Sequence, residues 1–521
     1  MANEPLINIE VPDRGTLPPA APARSGGLRA IRVHASDDVA VAIYTLSPPE
    51  EIVIGGARVP VTEAVAPGHK IALRDIEHGE PLMKYGYPIG VATAPIAKGA
   101  WVHSHNLRTR LEGTVEYRYS PHVTARESAS PATFDGYVRS NGRVGTRNEV
   151  WVLNTVGCVN HAAERIAREA AARPVGSVDG VYTFTHPYGC GQLGDDLANT
   201  RKVLAGLIRN PNAGGVLVLG LGCENNQMDE LLAEVGDFDR DRLRFFNSQD
   251  VGDEVEEGLR AVESLVSRMA GDRRTQVPAS KLVLGHKCGG SDGFSGISAN
   301  AVVGRIADRL SSLGGSVLLT EVPEMFGAEQ ELMDRAVSED VFSDVVKMID
   351  DFKNYFISHG QPIYENPSPG NKAGGLTTLE EKSHGAIQKG GHAPVTAVLR
   401  YGEQVRSAGL SLLESPGNDA VSSTAMVVSG ATLLLFTTGR GTPLGFPAPT
   451  IKISSNTAIA EKKPHWIDFN AGSLLDGTAS MEALEEDLFA LVLDVASGRK
   501  LANNEKHGIR EIAIWKDGVT L

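Results

Sequence analysis

Thiol is scarce in this chain: 521 residues carry four cysteines, and aromatic residues make up only 6%. No two of the four, Cys158, Cys190, Cys223 and Cys288, stand at metal-finger spacing, which argues against zinc-finger and disulfide-framework classes. Basic charge is also short, with 50 Lys and Arg against 64 Asp and Glu and a formal net charge of −14. A nucleic-acid or anionic-membrane partner would need a basic face, so neither is expected. A small anionic substrate remains open, because a local Arg, Lys or metal inverts the field inside one cleft. No apolar run approaches the roughly 18–20 residues of a membrane-spanning helix. The stretch from Met1 to Gly15 lacks the basic-then-apolar pattern of an export signal, so the cytoplasm is the expected compartment.

The chain is too long for one core and, at 41% hydrophobic and 22% charged, reads as ordinary globular protein in about two to four domains. Residues 1–27, rich in Pro, Ala and Gly, read as a loose tail. Across 28–111, short alternating segments separated by Gly and Pro turns predict a small β-rich domain, and 112–134 reads as a linker. From Asp135 onward, apolar runs such as Trp151–Val156, Gly215–Gly220 and Ser316–Thr320 alternate with helical patterns. That rhythm predicts βαβ units and a largely parallel sheet. The polar stretch from Gly271 to Ala279 divides a middle α/β domain, 135–275, from a last domain, 276–521.

In open parallel sheets, ligands bind outside the carboxyl ends of strands, where loops meet helix N-termini. The unusual residues fall there: Cys158, His186 with Cys190, Cys223 with Glu224, Cys288 with Asp292, and Glu321 all follow expected strands. Each cysteine adjoins a glycine, which lets a ligand approach the backbone. One such cysteine would ordinarily be a small buried hydrophobe, but four in strand-to-helix turns point to metal or catalysis, because a helix N-terminus lowers a thiol's pKa. His186 reads as a base or ligand against a loop brace, and Glu224 and Asp292 as site acids against plain helix-dipole acids. Glu324 and Glu329 read as a solvated acidic face. The glycine-rich Cys288–Gly296 loop, containing Ser291 and Asp292, has neither Rossmann nor P-loop spacing and suits a carboxylate held on backbone N–H groups. Lys372, beside Asn371 in a rigid Pro-containing turn, reads as a base or carboxylate partner, and Arg440 as a bidentate carboxylate holder. In the first domain His34 and the Gly68-His69-Lys70 turn stand out, although a histidine at a strand end is usually structural. These residues together indicate a metal-assisted enzyme for a small, oxygen-rich anion, without naming the reaction.

Several longer motifs carry a resemblance: VHASDDVAVAI, GHKIALRDI, KYGYPIG, TVGCVN, HPYGCGQLGDD, LGLGCENNQ, CGGSDGFSGISAN, TEVPEMFGAEQ, YENPSPGNKAGG, TTGRGTP and HWIDFNAG. In this order they make the chain similar to the altronate/galactarate dehydratase family over nearly its whole length, with wording closer to the altronate branch. The resemblance implies an N-terminal SAF-type β-clip domain followed by α/β domains, the last Rossmann-like. It implies Fe2+ dependence, with Mn2+ as a substitute, a homodimer, and dehydration of D-altronate to 2-dehydro-3-deoxy-D-gluconate. Galactarate or another sugar acid is the alternative substrate. For that chemistry the expected metal set is Cys190, Cys223, Cys288, Glu224 and Cys158, with His186 or Lys372 as base and His34 closing over the site. Arg440, Ser291, Asp292, Asn371 and Lys70 are expected to hold substrate. One rival reading places three of the cysteines on one 4Fe–4S cluster with one iron open to the substrate hydroxyl. Another is a sugar-acid-binding sensor without catalysis.

Overall fold

The computed structural model describes residues 28–123, 130–173 and 176–521; the expected tail at 1–27 lies outside them. In the first domain, short antiparallel strands Ala30–Ile31, Val39–Ala42, Lys70–Ala72 and Trp101–Val102 form one sheet. Strands Pro81–Lys84, Tyr87–Ala92 and Leu107–Arg108 form a second, and Glu51–Ile54 pairs with Ala57–Pro60 in a hairpin. Glu51–Ile54 alternates exposed and buried residues, as a strand with one wet face must.

The middle domain is a parallel sheet in which Glu149–Asn154 lies between Gly180–Thr183 and Ala213–Gly220, with Leu243–Asn247 at the far edge. All eight residues of Ala213–Gly220 are buried, because helices cover both faces and the strand must be apolar on both sides. Asn160–Ala171 and Glu254–Met269 pack on one face. Gly194–Ile208 and Met228–Val235 pack on the other, where Gly194–Ile208 also meets helix Asp419–Val428 of the last domain. The polar stretch read from sequence as a boundary contains a strand, Thr275–Pro278, paired antiparallel with Thr133–Val138. The end of the expected linker is therefore structured. Backbone pairing, which needs no apolar side chains, explains why composition did not reveal it.

The last domain holds seven parallel strands in the order Val395–Leu399, Gly409–Leu413, Ser316–Leu319, Val283–Cys288, Leu433–Thr438, Thr450–Ser454 and Phe469–Asn470. Val283–Cys288 comes first in sequence, and the strands that follow it build outward on both sides. The topological switch point, where such sheets open a crevice, therefore lies between Cys288 and Thr438.

The first domain docks against this edge. A Cβ on Gly293 would stand 1.9 Å from the carbonyl oxygen of Gly68, and one on Gly375 would stand 2.1 Å from it, so only glycine fits at either place. Nearby, helix Leu379–Ala386 is buried along its whole length. Its Glu381 accepts from Lys70 at 2.8 Å and from Lys84 at 2.7 Å, with all three side chains fully buried. No helix among the described residues is long and apolar enough to cross a membrane.

Candidate active site

Strand Val283–Cys288 delivers two reactive groups to the switch point, Lys287 and Cys288. Glu321 follows the neighbouring strand and holds the left-handed conformation, φ 71° and ψ 59°, which is uncommon for a residue with a side chain. That turn aims its carboxylate back at Cys288, whose backbone N–H donates to it at 3.2 Å. The Cys288 thiol donates to Glu324 at 3.1 Å and receives Lys389 Nζ at 2.7 Å. Lys389 also pairs with Glu321 at 3.1 Å, and Lys382 with Glu324 at 2.8 Å. Lys287 bridges Glu321 and Asp419, the latter at 2.8 Å. Three ammonium groups and three carboxylates thus interleave around one thiol. Asp419, 32% exposed, opens the group toward the solvent side.

The electrostatics follow from burial and pairing. Burial, reinforced by the Glu321 and Glu324 carboxylates, pushes the Cys288 thiol up to about 12. Burial alone would raise Glu324, but Lys382, Lys389 and Lys287 outweigh it and hold the carboxyl well below its usual range. Burial lowers Lys389 less than the thiol and carboxylates raise it, so its proton is firmly held. Cys288, Glu321 and Glu324 form the one group of His, Cys, Asp or Glu among the described residues whose ligand atoms all lie within 4.8 Å of one another. One sulfur and two carboxylate oxygens suit a divalent ion of intermediate softness. A cation entering here would take the place Lys389 holds on the sulfur.

Three loops extend this group outward. Asn371 donates to the Ser291 carbonyl at 2.8 Å, and Lys382 reaches the Asn371 side chain at 3.2 Å. The Gly290 carbonyl accepts from the backbone N–H of Arg440 at 2.9 Å. Gly370, two residues before Lys372, lies against the Arg440 guanidinium, 3.9 Å from a Cβ placed there. Among the described residues, neither the Lys372 ammonium nor the Arg440 guanidinium makes a hydrogen bond or ion pair, leaving two free cations on the segments beside this group. Asp292 is instead enclosed, held by Ser295 at 2.8 Å and Ser455 at 2.8 Å; burial raises its carboxyl.

The structure therefore gathers Ser291, Asp292, Asn371, Lys372 and Arg440 around Cys288, with Lys70 behind them at the domain seam. It does not bring the other expected residues there. His34 is exposed and bonded to Ser36 at 2.7 Å. The first-domain histidines at the seam are His69, 3.4 Å from the Ala373 carbonyl, and His103, 2.9 Å from that of Lys372. Cys158, Cys190, Cys223, His186 and Glu224 all lie in loops of the middle sheet, whereas Cys288 ends a strand of the last domain's sheet and forms its group with Glu321 and Glu324. His186 has both ring nitrogens occupied: Nε2 donates to the Asn154 carbonyl at 2.8 Å and Nδ1 accepts from Tyr188 N–H at 3.2 Å. Glu224 accepts from Thr155 and from the N–H groups of Leu221 at 3.0 Å and Gly222 at 2.6 Å, which hold its carboxyl low against the effect of burial. Glu324 and Glu329 are buried rather than solvated: Lys382 and Lys353 pair with them. Sequence reasoning passed over Lys287, Lys382 and Lys389 altogether. The available signal was a lysine inside the apolar run Val283–Cys288, where both strand faces are covered.

His69 sets a pH dependence. Burial, aided by the charges of His103 and Lys70, lowers its ring from 6.5 to about 4, so the folded chain keeps it neutral. Unfolded chain takes up the proton first, so the stability this ring contributes is complete above about pH 6.5 and is lost as pH falls toward 4. Thermal melts should therefore shift downward between pH 7 and 5, and His69→Gln should flatten that shift. An identical shift in the variant would contradict this.

A buried thiol–carboxylate–ammonium group flanked by free cations at a parallel-sheet switch point defines a multidomain α/β enzyme for a small anion. Family models described as Altronate/galactarate dehydratase SAF domain, D-galactarate dehydratase/Altronate hydrolase second domain, and D-galactarate/Altronate dehydratase C-terminal match residues 28–110, 136–270 and 279–520. The altronate dehydratase of Bacillus subtilis is 48% identical over 495 residues, covering 94% of this chain and 99% of that protein. The altronate dehydratase of Escherichia coli is 49% identical over 494 residues, with coverage of 94% and 99%. The galactarate dehydratase (L-threo-forming) of Escherichia coli is 34% identical over 508 residues, covering 93% and 96%. The chain belongs to the altronate/galactarate dehydratase family.

Proposed function

We propose that this chain is a cytoplasmic hydro-lyase that removes water from a sugar acid, with D-altronate as substrate and 2-dehydro-3-deoxy-D-gluconate as product. The observation that carries this reading is the pairing of two unpartnered cations, Arg440 and Lys372, with the buried Cys288–Glu321–Glu324 group across the switch-point loops. Near-half identity to two altronate dehydratases over almost the full length supports the substrate.

In the reaction, the C2–H and C3–O bonds break, and the enol so formed tautomerises to the 2-keto acid. Arg440 holds the substrate carboxylate, assisted by backbone N–H groups of the glycine-rich loop after Cys288. Lys372, once its ammonium has released a proton to solvent, takes the C2 proton, since the ring nitrogens of His186 are engaged elsewhere. Lys382 and Lys389 hold Glu324 and Cys288 in place and keep positive charge close to the departing hydroxyl. Cys288, Glu321 and Glu324 would hold Fe2+ or Mn2+, which when bound stabilises the charge developing on the oxygens.

Arg440→Ala should raise KM for the sugar acid about 10- to 100-fold, the value of a charge-assisted bidentate contact, with a smaller effect on kcat. Steady-state kinetics check this; an unchanged KM would remove Arg440 from the carboxylate. The function itself is tested by purifying the protein anaerobically with ferrous iron and assaying hexonates and hexarates for 2-keto acid. D-altronate should be turned over fastest. Preference for galactarate would move the chain to the other branch, and binding without turnover would favour a sensor.

A further inference from the structure

The three cysteines outside this site occupy equivalent places. Cys158, Cys190 and Cys223 lie in the loops leaving Glu149–Asn154, Gly180–Thr183 and Ala213–Gly220, three adjacent strands of the middle sheet. These loops cross the carboxyl edge around the first strand, the switch point of that sheet. All three thiols are exposed, whereas Cys288 is buried. Free cysteine is ordinarily among the most buried residue types, so three exposed thiols at matching positions need a cause beyond packing.

The loops that carry them are tied to one another. Gly157 N–H donates to the Tyr188 carbonyl at 2.8 Å, and Asn226 N–H to the Gly189 carbonyl at 2.9 Å. Asn226 Nδ2 reaches the Thr155 carbonyl at 3.0 Å, and Gly191 N–H reaches Asn225 Oδ1 at 2.8 Å. His186 and Glu224 brace the same three loops from beneath, each fully engaged by backbone groups. The neighbours of each cysteine thus touch another cysteine's loop, and the thiols are mounted on rigid supports. Helices Asn160–Ala171, Gly194–Ile208 and Met228–Val235 begin just beyond these loops.

The loops select the ligand. Three separate loops, tied side by side, present one thiol each, and no His, Cys, Asp or Glu among the described residues completes a compact single-ion group with them. Three thiol donors without a compact fourth ligand suit a cluster that three cysteines hold and whose last iron stays open.

We propose that Cys158, Cys190 and Cys223 bind a [4Fe–4S] cluster, with three irons held by thiolate and the fourth open to an oxygen ligand or solvent. The site is distinct from the Cys288 group, and its occupancy does not depend on which sugar acid is turned over.

The test uses the full chain, purified anaerobically and reconstituted with ferrous iron and sulfide. About four irons and four acid-labile sulfides per chain are expected, with a paramagnetic signal after dithionite reduction. Cys158→Ser, Cys190→Ser and Cys223→Ser should each lose at least tenfold of the sulfide, while Cys288→Ser keeps it. Circular dichroism of each variant reports folding. Should one fail to fold, alkylation of the wild type followed by mass spectrometry gives the same answer, because the cluster should protect those three thiols. Iron without sulfide, a cluster lost only in Cys288→Ser, or three thiols alkylated equally with and without reconstitution would overturn the assignment.

Discussion

Glu381→Gln should loosen the first domain from the last and cost about 3–5 kcal/mol, the usual penalty for deleting one partner of a buried ion pair. Glu381 is the carboxylate that bridges Lys70 and Lys84, and all three side chains are fully buried. Burial disfavours its charge, yet the two ammonium groups more than offset that and keep it ionised. Without it, two cations would face each other in a dry seam. Lys70, which burial already lowers to about 8, would be the one to release its proton. Urea denaturation and limited proteolysis between the first and middle domains provide the measurement. The triple variant Lys70→Met, Lys84→Met, Glu381→Leu should recover much of the loss, since exchanging an entire buried ionic set for apolar groups is often neutral. A fully stable Glu381→Gln protein would show that the other contacts of the seam, among them those of His69 and His103, hold it without this ionic set.

Cys288→Ala should lower kcat by about a hundredfold to ten-thousandfold, the range for removing a group that moves a proton or holds a catalytic ion. The fold should survive, because Lys389 keeps its bond to Glu321 at 3.1 Å and the deleted sulfur leaves a space of only one atom. Wild-type melting temperature together with lost turnover is the expected pair of results. Substantial remaining turnover would take the sulfur out of the chemistry and leave Cys288 as packing.

The parallel sheets were readable because their strands, covered on both sides, appear as unbroken apolar runs; Ala213–Gly220 and Leu433–Thr438 are buried at every residue. The placement of Ser291 and Arg440 followed from the same rule, since both sit in loops at a strand's carboxyl end. Asn371 and Lys372, read as a rigid turn, lie in the short helix Pro369–Ala373, which Asn371 ties to the Ser291 carbonyl. The partition of the cysteines was half legible. The boundary read at 271–279 already put Cys223 and Cys288 in different domains, yet the expected metal set joined them, and the strand order places their loops on two separate sheets. The lysines were hidden. A charged residue reads as solvent-facing unless its partner is known, and the partners of Lys287, Lys382 and Lys389 come from separate segments of chain. Helix Leu379–Ala386 offered one clue, since charges on every side of a helix fit burial only if each is paired.

The end of the chain returns to the thiol-bearing edge: Leu521 N–H bonds the Gly191 carbonyl at 2.8 Å, and Asp517 and Gly518 N–H groups bond Asp196 at 2.7 Å and 2.9 Å. The loop around Cys190 is thus finished by residues that leave the ribosome more than three hundred positions later. A middle domain without residues 517–521 in place keeps that loop only partly pinned, so its hold on any inorganic guest depends on a segment contributed by the last domain.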